Sequence, residues 1–140
     1  MMGSRAPTPT GASSRQGHPT LRAFGLAARQ GEPYWTDGTV TVVKAPPART
    51  DGRLTVIEQL LVAGRPRAAR SNPDGDEVWY VVDGILDVLV GPVTCTVESG
   101  GVLFVPRGEA VTVRVLSQTA RILMVITPAG EETLRSLVTG

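Results

Sequence analysis

The residues best equipped for chemistry lie in the run R-S-N-P-D-G-D-E-V-W-Y-V-V-D-G, Arg70 to Gly84. The Arg70 guanidinium offers a planar fork of donors suited to a carboxylate, enolate or phenolate. Glu77 supplies a carboxyl group able to act as general acid or base. Asn72, between them, can both donate and accept a hydrogen bond, or can close a local turn before Pro73. Either charge buried alone would be costly, so an Arg70–Glu77 ion pair is the alternative to two functional groups. A second run, G-G-V-L-F-V-P-R-G-E-A-V-T-V, Gly100 to Val113, brings Phe104, Val111 and Val113. Its P-R-G-E carries Arg107 and Glu109, which read as a solvated surface pair.

Metal-ligating types are scarce. The single histidine, His18, sits in a polar stretch rich in Ser, Thr, Pro and Gly, and the single cysteine, Cys95, sits in a strand-like run. First-row metals want imidazole, thiolate or carboxylate, and a guanidinium or an alkyl group offers no electron pair. Asp74 and Asp76 belong to a turn and give too few oxygens for calcium or magnesium. Cys95 has no histidine to activate it and reads as a small buried hydrophobe; one cysteine permits no internal disulfide.

The elements that position these groups are strands. Thr39–Lys44, Leu54–Val62 and Glu77–Val82 are β-branched or aromatic runs bounded by Gly, Pro and Asp. I-L-D-V-L-V, V-T-C-T-V-E, V-L-F-V, V-T-V-R-V and R-I-L-M-V-I-T continue the series. About eight short strands with no intervening helices predict an antiparallel sandwich or barrel. Pro106 ends the pairing of the strand before it. A short helix is expected from Gly130 to Leu137, a disordered tail over residues 1–20, and a short helix or extended arm over Leu21–Arg29. Residues 21–140 then form one domain.

The two runs resemble the two signatures of the cupin superfamily, and the chain from about Glu32 onward is similar to small single-domain quercetin-dioxygenase-like cupins. Glu77 and Gly84 keep the Glu-x6-Gly spacing of the first signature, while its two histidine places fall on Arg70 and Asn72. Gly100, Pro106 and Gly108 match the second, whose histidine place is Val111 and whose Asn place is Val115. The resemblance implies an all-β antiparallel jelly-roll barrel with degenerate metal-binding motifs, no metal or other cofactor, and a homodimer. If Glu77 points inward as the family's glutamate does, Trp79 and Val81 share its face. The implied cavity is lined by Arg70, Asn72, Glu77, Trp79, Val111 and Val113, with Phe104 and Met124.

Such a cavity fits a metal-independent enzyme acting on a small-molecule substrate, a cyclase or isomerase of natural-product biosynthesis. Glu77 and Arg70 would be catalytic, and Asn72, Trp79, Val111, Val113, Phe104 and Met124 would bind substrate. A non-catalytic ligand-binding or structural cupin is the alternative, and a metal-dependent dioxygenase lacks its histidines. The feature that separates them is whether Arg70 and Glu77 have partners beyond each other. Glu58 is either inward or solvated; Tyr34 and Trp35 either cap the mouth or simply pack; Tyr80 is expected to face outward.

Composition excludes other classes. Thirteen arginines stand against one lysine, Lys44, yet the net charge is only +1 and no basic stripe interleaved with aromatics occurs, so no nucleic-acid partner is expected. No apolar run approaches the roughly 20 residues of a membrane span, and a cytoplasmic location is expected. With 41% hydrophobic residues, 140 residues bury one sizeable core.

Overall fold

The computed structural model describes residues 21–139, and the expected tail over residues 1–20 lies outside them. Alternating apolar and polar residues turn each run into a strand with one face for the core. The chain order is β1 (Glu32–Thr36), β2 (Thr39–Ala45), β3 (Thr55–Val62), β4 (Asp76–Asp83), β5 (Ile85–Val90), β6 (Val93–Glu98), β7 (Val102–Val105), β8 (Val111–Val115), β9 (Thr119–Thr127) and helix α1 (Glu131–Thr139). All named pairings are antiparallel.

The strands form two sheets, one of six in the order β1-β2-β3-β9-β4-β7 and one of three in the order β6-β5-β8. They do not close into one hydrogen-bonded barrel. The sheets instead share a core: Ile57, Trp79, Val81, Ile122, Met124 and Ile126 from the larger meet Leu86, Val88, Val111 and Val115 from the smaller. The jelly-roll expectation holds in this open, two-sheet form. An isolated bridge pairs Arg70, in the segment before β4, with Val111 of β8, its two N–H···O bonds at 3.0 and 2.7 Å.

Sequence and structure differ at the N-terminal side. Glu32–Thr36, not read as a strand, pairs along β2, because E-P-Y-W-T is short and opens with a Glu-Pro pair that weakens any strand pattern. Tyr34 packs against the core while Trp35 points outward, 72% exposed. Leu21–Ala27 adopts no regular structure, so the arm is not a helix. Lys44 Nζ holds its end by donating to the carbonyls of Ala28 (2.9 Å) and Gln30 (2.7 Å), and the Arg49 guanidinium lies 3.9 Å from the Phe24 ring centre. Among the described residues no helix is long and apolar enough to cross a membrane.

Candidate functional site

The two sequence runs meet at one end of the larger sheet. β4 pairs with β7 so that Glu77 faces Val105, and beyond β7 the chain turns at Pro106–Gly108 back toward the Asn72 turn. There the Gly108 N–H donates to the Asn72 carbonyl at 2.8 Å, and the Arg107 N–H donates to Asp76 Oδ1 at 2.9 Å. Gly108 has φ +83°, a conformation that glycine adopts without strain. The Arg107 backbone N–H, aided by its guanidinium, holds the Asp76 carboxyl below the usual carboxylate range against the opposing effect of desolvation. Arg107 therefore serves Asp76 rather than Glu109, and Asp76 bonds a distant turn rather than local backbone.

Glu77 is the polar centre of this end, 1% exposed. Arg70 grips its carboxylate with both terminal nitrogens, Nη1 to Oε2 at 3.0 Å and Nη2 to Oε1 at 2.7 Å. The Trp79 indole donates to Oε1 at 2.9 Å and Asn72 Nδ2 to Oε2 at 3.4 Å. All four contacts come from donors, so the carboxylate is used up as an acceptor. Asn72 is in turn fixed by its Oδ1, which accepts from the Asp74 N–H at 3.2 Å and closes the turn before the strand. Both of the chemistries weighed for Asn72 resolve into local structure.

A cavity of about 430 Å³ opens beside this network. Arg70, Trp79, Val111, Val113 and Met124 line it as expected; Glu77 and Asn72 do not. They lie behind Arg70 and Trp79. Phe104 is a correction: it is 57% exposed on the outer face of β7, because Leu103 and Val105 take the inward positions and period-two alternation sends Phe104 out. Glu58 lies on the outer face too, within 3.9 Å of Lys44 and 3.5 Å of Arg121. Cys95 is half-buried against the core.

Several lining residues escaped the sequence reading. Thr36 and Asp37 come from the end of β1 and the turn after it, Pro66 to Ala69 from the segment before β4, and Ser136 and Leu137 from α1. Asp37 pairs with Arg65, and Arg67 Nη2 donates to the carbonyls of Gly38 (2.9 Å) and Val62 (3.0 Å), so this segment is strapped across the turn. Desolvation lowers the Arg67 pKa from its ordinary value. Its Nε is the inaccessible side-chain nitrogen left without a partner among the described residues. Gln59 was missed as well. It stands among Ile57, Leu61 and Thr55 on the inward face of β3, and a polar amide at an inward position of an apolar strand was the available signal.

The fold family implies a metal held by three histidines and a glutamate, and the residues present do not fit one. Both Glu77 oxygens are taken by cationic or neutral donors, Val111 offers a methyl surface, and the Asn72 oxygen is bonded to backbone. Among the described residues no group of three or more His, Cys, Asp or Glu is placed to hold an ion. The Arg70 guanidinium stands against the carboxylate that would otherwise bind a metal.

Residues 72–132, less than half of the chain, match the family described as ethanolamine utilisation protein EutQ. An uncharacterised protein of Streptomyces coelicolor is 40% identical over 53 residues, which are 38% of this chain; the match spans 50% of that relative. An RmlC-like cupin from Shewanella frigidimarina superposes with a TM-score of 0.68 at 18% identity, covering 80% of this chain and 96% of that one. The Streptomyces protein PAC13, solved with uridine, gives 0.66 at 15% identity, covering 81% and 88%. At such identities the likeness shows the fold. The two facing antiparallel sheets and the inner cavity between them are those of the cupin fold.

Proposed function

We propose that this cupin binds a small, uncharged polar molecule in its cavity without a metal, with Arg70 as the principal donor. The observation that carries this reading is the division of labour around Arg70. Its two terminal nitrogens hold Glu77, whereas its Nε has no partner among the described residues and the side chain lines the cavity, 24% exposed. Because Glu77 already neutralises the guanidinium, a carboxylate ligand would bring a second anion to one cation in a site of low dielectric. A carbonyl or hydroxyl oxygen accepts the same hydrogen bond without that cost. The apolar wall of Trp79, Val111, Ile122 and Met124 supplies the burial. PAC13 was solved with uridine, a neutral polar molecule, and that likeness supports the ligand class.

A cyclase or isomerase of natural-product biosynthesis is the second reading, and Arg70 is what favours it. An N–H bordering an apolar cavity can polarise a substrate carbonyl, and the enclosing wall can hold a reactive conformer. Glu77, with every contact a donor, acts here as a positioning residue for Arg70 and not as the acid or base. A pairing of two copies through the outer face of the six-stranded sheet completes the proposal: Val78, Tyr80, Val102 and Phe104 form an exposed apolar strip there.

The test is titration with uridine and with benzoate, followed by tryptophan emission. A saturable change with uridine that Arg70→Met weakens at least tenfold supports the reading. Saturable binding of benzoate but not of uridine would overturn it.

A further inference from the structure

We infer that Gln59 is a second ligand anchor in this cavity, and that the ligand carries a hydrogen-bond donor, a hydroxyl or an N–H, seated on the Gln59 side-chain oxygen. The inference rests on the pocket reading above and narrows its ligand class.

Gln59 is more than nine-tenths buried, 7% exposed, on the inner face of β3. Its Nε2 donates to Thr41 Oγ1 at 3.0 Å across the β2–β3 ladder, where the two residues are directly opposite. That bond fixes the plane of the amide. Its Oε1 has no hydrogen-bond partner among the described residues, and Gln59 lines the cavity. A buried amide bonded through one N–H alone is an unusual expense within an apolar strand unless something enters to complete it.

The register relates this oxygen to Arg70. Gln59 pairs with Ile122 across the β3–β9 ladder, which makes Met124 its diagonal neighbour, about 7–8 Å away in such a sheet. Met124 is the residue whose Sδ lies 3.4 Å from Arg70 Nη2. Gln59 and Arg70 therefore border one cavity with Met124 between them, an acceptor on one side and a donor on the other. The ligand that satisfies both carries an acceptor oxygen at one end and an O–H or N–H at the other, as lactams, imides and hydroxyketones do.

The experiment compares matched neutral probes by nuclear magnetic resonance titration of the whole chain: uracil against its N,N-dimethyl derivative, piperidone against N-methylpiperidone, and a hydroxycyclohexanone against its methyl ether. Wild type should bind the donor-bearing member about 3- to 10-fold tighter, the worth of one neutral hydrogen bond. Gln59→Leu should bring the members of a pair to equal affinity, whereas Arg70→Met should weaken both alike. If Gln59→Leu does not fold, the double variant Thr41→Val with Gln59→Leu, which removes both halves of the polar pair, gives the same comparison. Equal affinities in wild type, or a preference that survives loss of Gln59, would overturn the anchor and leave the pocket standing. No binding of any probe would overturn the pocket itself.

Discussion

Trp79 and Glu77 occupy one face of β4, and the Trp79 indole donates to the Glu77 carboxylate at 2.9 Å. With Arg70 on the same oxygen and Asn72 on the other, the indole closes a wall between the carboxylate and the cavity.

Loss of either charge therefore acts first on stability. Arg70→Met strands a buried carboxylate and should cost about 3–5 kcal/mol, a fall of roughly 10–20 °C in melting temperature. Arg70→Met combined with Glu77→Leu should recover most of that loss. A double variant no more stable than Arg70→Met in thermal denaturation would refute the pairing.

The two tryptophans should report separately. Trp35 is 72% exposed and Trp79 2%, so iodide should quench Trp35 emission and leave the Trp79 component. Trp79→Phe, which removes a donor to a buried carboxylate, should destabilise by about 1–3 kcal/mol. Equal quenching of both residues would contradict the burial of Trp79.

Low pH should weaken the fold through two strand carboxylates. Asp76 lies below its ordinary range chiefly through the Arg107 N–H, and Asp87 chiefly through the Thr96 hydroxyl, then Arg114. For a carboxylate lowered on folding, stability is present above the unfolded value of about 3.9 and is lost as pH falls through the lower folded one. Asp76→Asn and Asp87→Asn should each flatten the decline of melting temperature below about pH 4. An unchanged slope would remove them from the acid response.

Phe104 lies outside the cavity, so Phe104→Ser should leave probe affinity unchanged and alter stability by no more than about 0.5 kcal/mol. If two copies pair through this strip, the same change should shift the sedimentation of the protein toward the single chain. A loss of probe binding would return Phe104 to the cavity wall.

Gly84→Ala should be among the more harmful single changes. Gly84 has φ +105°, and an added Cβ would come within 2.7 Å of the Ala120 Cα and the Thr119 carbonyl oxygen. Both the backbone conformation and the space forbid it. Its melting temperature should fall well below that of Gly52→Ala, whose site is open; equal effects would place the cost in backbone conformation alone.

The strands were legible because each carries a strong two-residue alternation; Ile85–Val90, Val93–Glu98, Val102–Val105 and Val111–Val115 fall where the residues put them. The inward set on β4, Glu77, Trp79 and Val81, was legible for the same reason. Phe104 was misplaced because an aromatic residue weighs more in a sequence than its parity does, and parity decides the face. The sealing of Glu77 was not legible, since it depends on how far Arg70 reaches and on an indole turned toward its own strand neighbour. The cavity rim was not legible either: Asp37, Arg67 and Leu137 are distant in sequence and meet only when the hairpin turn, the segment before β4 and α1 converge.

The bond between Arg70 and Glu77 makes the positive centre of this molecule a part of its own covalent chain. A counter-ion of that kind cannot be chelated, exchanged for a competing ion or lost on dilution. The protein should regain its fold after denaturation in the presence of a strong chelator as readily as without one, carrying its own charge into place each time it refolds.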